Sequence, residues 1–424
     1  MRKYINRFAF FSIFLDNLYL PIQLGFDFRL NYVAYLFFII FYLLAYRTVG
    51  FSAKWAVYLG AIFTVFSIVA ILKPPPFSGF IKQSVLVVFH IVFAYLLLNS
   101  YKFNLEKILT DYIKIIKWVC YVAIVQFFSL KIGFVHGADF SYLGFDMGNF
   151  FMGQNRAQAW FQEPSFMAYA IMPAVFMALA KLFGIDTGLS RKETSLILLT
   201  MLLCASSTGL LGIIISLLLI LLAKYPLLKR PIYLFTLFLL VPIASLLMYQ
   251  VPMVQQRVDD SLALFFKSYP TSEDIDSTNL STYALYSNFK VTQKTITSNP
   301  ILGGGIGSYE NSYDRYINSV IPKSPIRDRY QLNKKDANSL LFRLLAETGL
   351  IGTVLFLFFI VANRLGFSTV IRNDGYFWAL NNGIFVVILL RLLRQGHYTS
   401  LGFVLFLLLL YQTKHQTIQN GRVI

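Results

Sequence analysis

Apolar runs of roughly 17–25 residues recur from one end of this sequence to the other, each long enough to cross a bilayer about 30 Å thick as a helix. Inside a bilayer every backbone N–H and C=O must find its partner within the protein, which leaves helices or a closed barrel as spanning structures. Barrel strands alternate apolar and polar residues. The runs here are continuous, and they predict an all-α, polytopic integral membrane protein. Composition agrees: of 424 residues, 57% are hydrophobic and 13% charged, about half the charge of a soluble domain.

The runs predict about twelve transmembrane helices, near 6–25, 30–46, 55–72, 82–99, 115–132, 165–184, 194–206, 208–224, 231–250, 339–361, 375–392 and 398–413. The pair meeting at Ser206-Ser-Thr-Gly209 reads either as one broken helix or as two short ones. The basic start Met1–Arg7 precedes no small-residue cleavage site, so the first run is expected to be an uncleaved anchor. Cys120 and Cys204 both fall inside expected spans, and no disulfide is expected.

The formal net charge of +17 raises nucleic acid as a partner. The distribution of the charges favours a membrane instead. With the N-terminus cytoplasmic, Arg2, Lys3, Arg7, Lys102, Lys107, Lys114, Lys117, Arg191, Lys192, Lys229 and Arg230 all fall on the inner side, and the short outer loops hold few basic residues. That is the positive-inside pattern, and the charge then faces anionic membrane lipid, with no nucleic acid needed. Both termini are expected in the cytoplasm, in a cytoplasmic (inner) membrane.

One hydrophilic island interrupts the pattern. It divides the chain into an N-terminal transmembrane bundle (1–250), a large periplasmic or extracytoplasmic loop (251–338) and C-terminal transmembrane helices with a short cytoplasmic tail (339–424).

Four constellations could carry chemistry, each with a plain structural alternative. Glu163 precedes Pro164, a residue suited to the first turn of a helix. It is either a cap paired with Arg156 or a working carboxylate. Arg343 and Glu347 are four apart on one helical face. Charges within a span cost about 2.5–3.5 kcal/mol each, so they pair or line a cavity. They either tie helices together or form a pocket wall beside Asn338. Arg391 and Arg394 share a face near an outer helix end with His397 close by. They either snorkel to lipid or clamp a pyrophosphate, whose oxygens match a guanidinium in two-pronged geometry. Gly303, Gly304, Gly305 and Gly307 allow tight turns and close approach to a ligand, or form a plain turn. Lys290 and Lys294 precede them, free to meet acidic headgroups or to be solvated. Asp274 and Asp276 have the spacing of a metal-binding pair. A solvated acidic turn is the better reading, and no metal or other cofactor is expected.

In combination, Arg156 with Glu163-Pro-Ser165, the turn Ser206-Ser-Thr-Gly209, Asn299-Pro-Ile-Leu-Gly-Gly-Gly-Ile-Gly307 and Asn338-Ser-Leu-Leu-Phe-Arg-Leu-Leu-Ala-Glu-Thr-Gly-Leu-Ile-Gly352 resemble the Wzy-type O-antigen and capsular polysaccharide polymerase family, within the wider O-antigen ligase-like group. The resemblance covers roughly residues 150–355. Many ligase-like members carry a histidine just before the asparagine of the last motif, where this chain has Ala337. That departure favours a polymerase and leaves no base to carry over at that position. The resemblance implies a GT-C-like membrane glycosyltransferase. Its donor is a growing glycan on polyprenyl pyrophosphate, its acceptor the sugar hydroxyl of a lipid-linked repeat unit, and a chain-length regulator protein is a further partner. Read onto this chain, Arg156, Arg391 and Arg394, with Arg257 behind them, would stabilise the leaving pyrophosphate. Glu163, then His397, then Glu347 are candidate bases, and Asn338 and Tyr309 would hold sugar hydroxyls. The competing readings are a ligase that moves finished glycan and a lipid-linked oligosaccharide flippase. A flippase predicts charges near mid-membrane and repeat symmetry, and neither is visible in the sequence.

Overall fold

The computed structural model describes residues 2–23, 27–46, 77–148, 150–152, 154–224, 249–250, 252–267, 270–326, 331–367 and 375–419. The spans expected at 55–72 and, but for its last two residues, at 231–250 lie outside them.

The chain begins with α1 (Arg2–Ser12), an antiparallel hairpin of β1 (Tyr19–Gln23) and β2 (Asp27–Arg29), and α2 (Leu30–Tyr46). The continuous span expected over 6–25 is therefore corrected to a helix that stops at Ser12 and a small hairpin. Asp16 and Asn17 are the reason: a polar group inside an apolar run is costly unless it is partnered. Leaving the helix lets Asp16 pair with Arg29, and lets the Asn17 amide donate to the carbonyls of Asp146 and Trp160.

Then come α3 (Phe77–Ser100), α4 (Leu105–Ile132), α5 (Pro164–Leu182), α6 (Arg191–Cys204) and α7 (Ser207–Lys224). The turn at Ala205–Ser206 separates α6 from α7, so the 194–224 stretch is two helices. The hydrophilic segment holds α8 (Pro252–Phe265), α9 (Ser272–Ser277), α10 (Leu280–Ser298) and α11 (Tyr309–Val320). The chain ends with α12 (Leu340–Ala362), α13 (Gly375–Arg394) and α14 (Phe403–Gln419). Among the described residues six helices, α3, α4, α5, α7, α12 and α13, are long and apolar enough to cross a membrane.

Helices α5 and α13 form the centre. They pack along each other, and α6, α7, α12 and α14 surround them. Small residues permit this approach, as in membrane interfaces generally: Ala168, Ala170, Ala174 and Ala178 of α5 are fully buried, and a side chain on Gly383 of α13 would come within 2.8 Å of Pro173. The helices of the hydrophilic segment cover the end of the bundle where α12 begins and α13 ends. Val291, Tyr309 and Tyr313 pack there with Ala337 and Ala346, joining that layer to α12.

Helix α12 is broken at Gly349, whose φ of 63° and ψ of −161° leave the helical region. The break exposes backbone groups, and the glycine run fills them. Gly304 and Gly305 donate to the carbonyls of Ala346 and Glu347, while the carbonyls of Pro300 and Ile301 accept from Leu350 and Ile351. An inserted chain of this kind is an identifiable cause of a kink. A Cβ on Gly349 would press on Ile301 and come within 2.6 Å of Gly303 N. Gly349→Ala is expected to destabilise the protein by roughly 3 kcal/mol, from left-handed strain of about 1–3 kcal/mol plus the clash. The check is a fall in the unfolding temperature of detergent-purified protein.

Candidate functional site

The glycines expected to approach a ligand approach a helix instead. Gly303 and Gly305 have φ of 69° and 89°, and a Cβ on Gly303 would lie 2.6 Å from the backbone of Glu347. Their backbone is committed to α12, and they shape the site by fixing the kink.

One turn before the kink, Arg343 and Glu347 form a buried pair. Arg343 Nε donates to Glu347 Oε1 at 3.1 Å. Its other nitrogens donate to Gly396 O at 3.1 Å and to Gln83 Oε1 of α3 at 2.9 Å. Tyr398 lies beneath the guanidinium at 4.3 Å and donates its hydroxyl to Glu347 Oε2 at 2.9 Å. Burial, then the Glu347 charge, pushes the Tyr398 phenol well above its ordinary value, so it stays a donor. Glu347 is 0% exposed. It is a structural anchor here, and Tyr309 N reaches the same carboxylate at 3.4 Å. The Tyr309 hydroxyl, 2.8 Å from Asn288 Oδ1, is likewise turned inward.

Just before α12, Asn333, Ala337 and Asn338 all have positive φ, 56°, 62° and 55°. Non-glycine residues seldom adopt that conformation, and such strain collects at functional sites. Asp336 holds the turn: its Oδ1 accepts from Asn333 Nδ2 at 2.9 Å and from Asn338 N at 3.3 Å. Its Oδ2 faces His397 Nε2 at 3.4 Å. The imidazole thus reaches the motif where Ala337 lacks one, arriving from the far side of the chain. Gly396 makes this approach possible, because a Cβ there would collide with the Asp336 carbonyl. The Asp336 carboxylate is nearly closed off, whereas the His397 side chain is 40% exposed. Desolvation, followed by the charges of Arg29 and Arg343, pushes the imidazole below its ordinary value against the pull of Asp336. That shift favours the neutral imidazole.

The loop carrying His397 is gripped from two sides. Arg391 is fully buried and donates to Ser400 Oγ at 3.1 Å and Ser400 O at 2.7 Å, with Phe403 against its face at 4.8 Å. It holds the loop and is neither snorkelling nor open to a phosphate. From the other side, Asp16 takes a 2.7 Å ion pair from Arg29 and accepts from Asn31 Nδ2 at 3.0 Å and Leu401 N at 3.2 Å. Leu401, with φ of 48°, needs that support. A narrow crevice beside this node runs between Arg29, Gln162, Phe166 and Leu401.

Glu163 is exposed at the mouth of α5, its carboxylate bonded only to Ser165 Oγ at 3.1 Å among the described residues. That carboxylate caps no backbone N–H, and no ion pair joins it to the half-buried Arg156. Tyr169, one turn and a half along α5, shares its electrostatic neighbourhood with Glu163, Arg391 and Arg394. Arg394 is partly open and donates to Ser281 O at 2.9 Å. Arg257 lies on α8, with its side chain outside the described residues. Asp274 caps α9 and pairs with Lys267 at 2.6 Å, and Asp276 accepts from Ser324, so the two acids serve local structure.

The structure thus brings Glu163, Arg343, Glu347, Arg391, Arg394 and His397 to one end of the bundle. It adds Asp16, Arg29, Asp336, Gln83 and Tyr398, which the sequence reading missed. Asp16 carried a readable signal, as an acid inside an apolar run. Asp336 carried a weaker one, lying two residues before Asn338. Tyr398 and Gln83 carried none.

Helices long and apolar enough to cross a membrane, covered at one end by the helical layer of the hydrophilic segment, define a multi-pass membrane protein. Residues 194–357 match the family model described as O-antigen ligase, which supports the O-antigen ligase-like superfamily. The match runs from α6 to the middle of α12. It includes Asp336, Asn338, Arg343 and Glu347, and excludes Arg156, Glu163, Arg391 and His397. No curated protein matches the chain.

Proposed function

We propose that this chain is a polysaccharide polymerase. It would move a growing glycan from polyprenyl pyrophosphate to the sugar hydroxyl of a lipid-linked repeat unit, on the outer face of the cytoplasmic membrane. A GT-C-like architecture, cytoplasmic termini and an extracytoplasmic 251–338 layer belong to this reading, as does a chain-length regulator as partner. The observation that carries it is the half-open His397, outside the matched region, facing Asp336 at the strained entry to α12, which lies within it.

The acceptor hydroxyl forms a bond to the anomeric carbon of the donor as the bond from that carbon to pyrophosphate oxygen breaks. With Nε2–H turned to Asp336, His397 Nδ1 carries the lone pair and takes the acceptor proton. Asp336 fixes that tautomer and stabilises the imidazolium. The bond pair leaves with pyrophosphate, which needs charge stabilisation and no proton. Arg394 and Arg156, both partly open, supply it. Arg391 acts through the loop it holds. Glu163 and Asn338 orient sugar hydroxyls. Asn338 Nδ2 is buried with no hydrogen-bond partner among the described residues, a donor suited to that task.

The geometry thus favours His397 over Glu163 as base. Glu163→Gln is expected to slow chain growth by about 10²-fold through misorientation of the acceptor, with normal protein levels in the membrane. An in vitro polymerisation assay beside an immunoblot checks this, and full activity would remove Glu163 from the site.

A ligase reading is favoured by the matched family's description. It shares every role above and differs in the acceptor. Ala337 speaks for the polymerase.

A further inference from the structure

An open cleft of about 370 Å³ runs along α10, lined by Lys290, Gln293, Lys294 and Thr297, with Val320 of α11 as its apolar edge. The four α10 residues follow the spacing of one helical face. The segment 251–338 is nearly balanced, with ten Lys or Arg against nine Asp or Glu, but several of its acids are committed elsewhere. Asp274 holds Lys267 at 2.6 Å, Asp314 and Glu310 share Lys334 at 2.8 and 3.8 Å, and Asp336 faces His397. Lys290 and Lys294 have no carboxylate within ion-pair distance among the described residues. Lys290 rests over the Tyr286 ring at 5.5 Å. On α11, Tyr316 bonds Ser298 at 3.3 Å, and that bond, then the charges of Arg315 and Lys294, draws its phenol below the ordinary value. Neither lysine lies in the last turn of α10, where a helix dipole would favour a cation. An amide and a hydroxyl share their face in the open cleft. Positive charge interleaved with neutral hydrogen-bonding groups fits a sugar chain that bears acids.

The cleft is aligned with the transfer site. Arg394 bonds the Ser281 carbonyl at the start of α10, and at 1.5 Å per residue the cleft lies about 14–24 Å further along the same helix.

We propose that this cleft binds the growing chain as an acidic saccharide, with its carboxylates on Lys290 and Lys294 and its hydroxyls on Gln293 and Thr297. The assignment rests on the polymerase reading and deepens it by naming the substrate class.

The test uses the full chain in nanodiscs of neutral phosphatidylcholine, titrated calorimetrically with a hexuronate oligosaccharide and with its neutral methyl ester. The acid is expected to bind at least about tenfold more tightly than the ester, and Lys290→Gln with Lys294→Gln is expected to remove that preference, as loss of two exposed ion pairs implies. Added salt should weaken the acid alone. Equal binding of acid and ester, or unchanged binding by the double variant, overturns the proposal. A double variant that loses affinity only for phosphatidylserine vesicles also overturns it, and makes the cleft a headgroup site. Binding needs no transfer. A protein that selects the acid but transfers nothing sinks the polymerase reading and leaves this one standing. Transfer without charge selection does the reverse.

Discussion

His397→Ala should lower glycan transfer by roughly 10²–10⁴-fold, the range contributed by a positioned proton acceptor, with the protein still folded in the membrane. The His397 side chain is 40% exposed, and Asp336 keeps its bonds from Asn333 and Asn338 when the imidazole is removed, so the change touches chemistry more than packing. The pH profile gives a sharper test. A base must be neutral to work, so activity is present above the imidazole pKa and lost as pH falls through it. Burial and the charges of Arg29 and Arg343 depress that value, which places the acid limb below the ordinary histidine range. Asp336 pulls the value upward. Asp336→Asn should therefore move the acid limb to still lower pH while reducing the maximal rate, since the imidazolium loses its partner. An acid limb that stays in place in Asp336→Asn and survives in His397→Ala would assign it to another group, with Glu163 the first to examine.

Arg343→Ala is expected to destabilise the protein by about 3–5 kcal/mol, because it strands a buried charge. Glu347 is fully buried and keeps only Tyr398 and the Tyr309 amide once the guanidinium is gone. The same change frees Gly396 and Gln83, and so loosens the His397 loop and α3 together. Arg343→Met with Glu347→Gln removes both charges while keeping volume, and should recover much of the loss. Unfolding temperatures of the single and double variants in detergent measure the coupling. Equal losses in both would show that packing, and not charge, governs this position.

The span pattern was legible wherever a run was apolar and uninterrupted, as in α3, α4 and α12, because hydrophobic length is a local property. The pairing of Arg343 with Glu347 was legible for the same reason, since helical spacing alone brings them together. The glycine run was visible, but its use was not. Gly303 and Gly349 meet only when two distant segments fold against each other, and a glycine that admits a helix looks in sequence like one that admits a ligand. Arg391 was read as open because it lies near a helix end. Its burial depends on Ser400 and Phe403, brought back by a turn whose left-handed residues no periodicity reveals. The dyad of Asp336 and His397 is non-local for the same reason. The first span failed in a readable way: Asp16 and Asn17 already forbade an unbroken helix there.

The most direct test of the central claim is a reaction of purified protein with a lipid-linked repeat unit, in chelator, resolved on a gel. The account predicts a ladder of lengthening products with release of polyprenyl pyrophosphate, abolished in His397→Ala. Release with a single transferred glycan would make the protein a ligase. Neither ladder nor release, with the substrate instead crossing the bilayer of a proteoliposome, would contradict the transferase account.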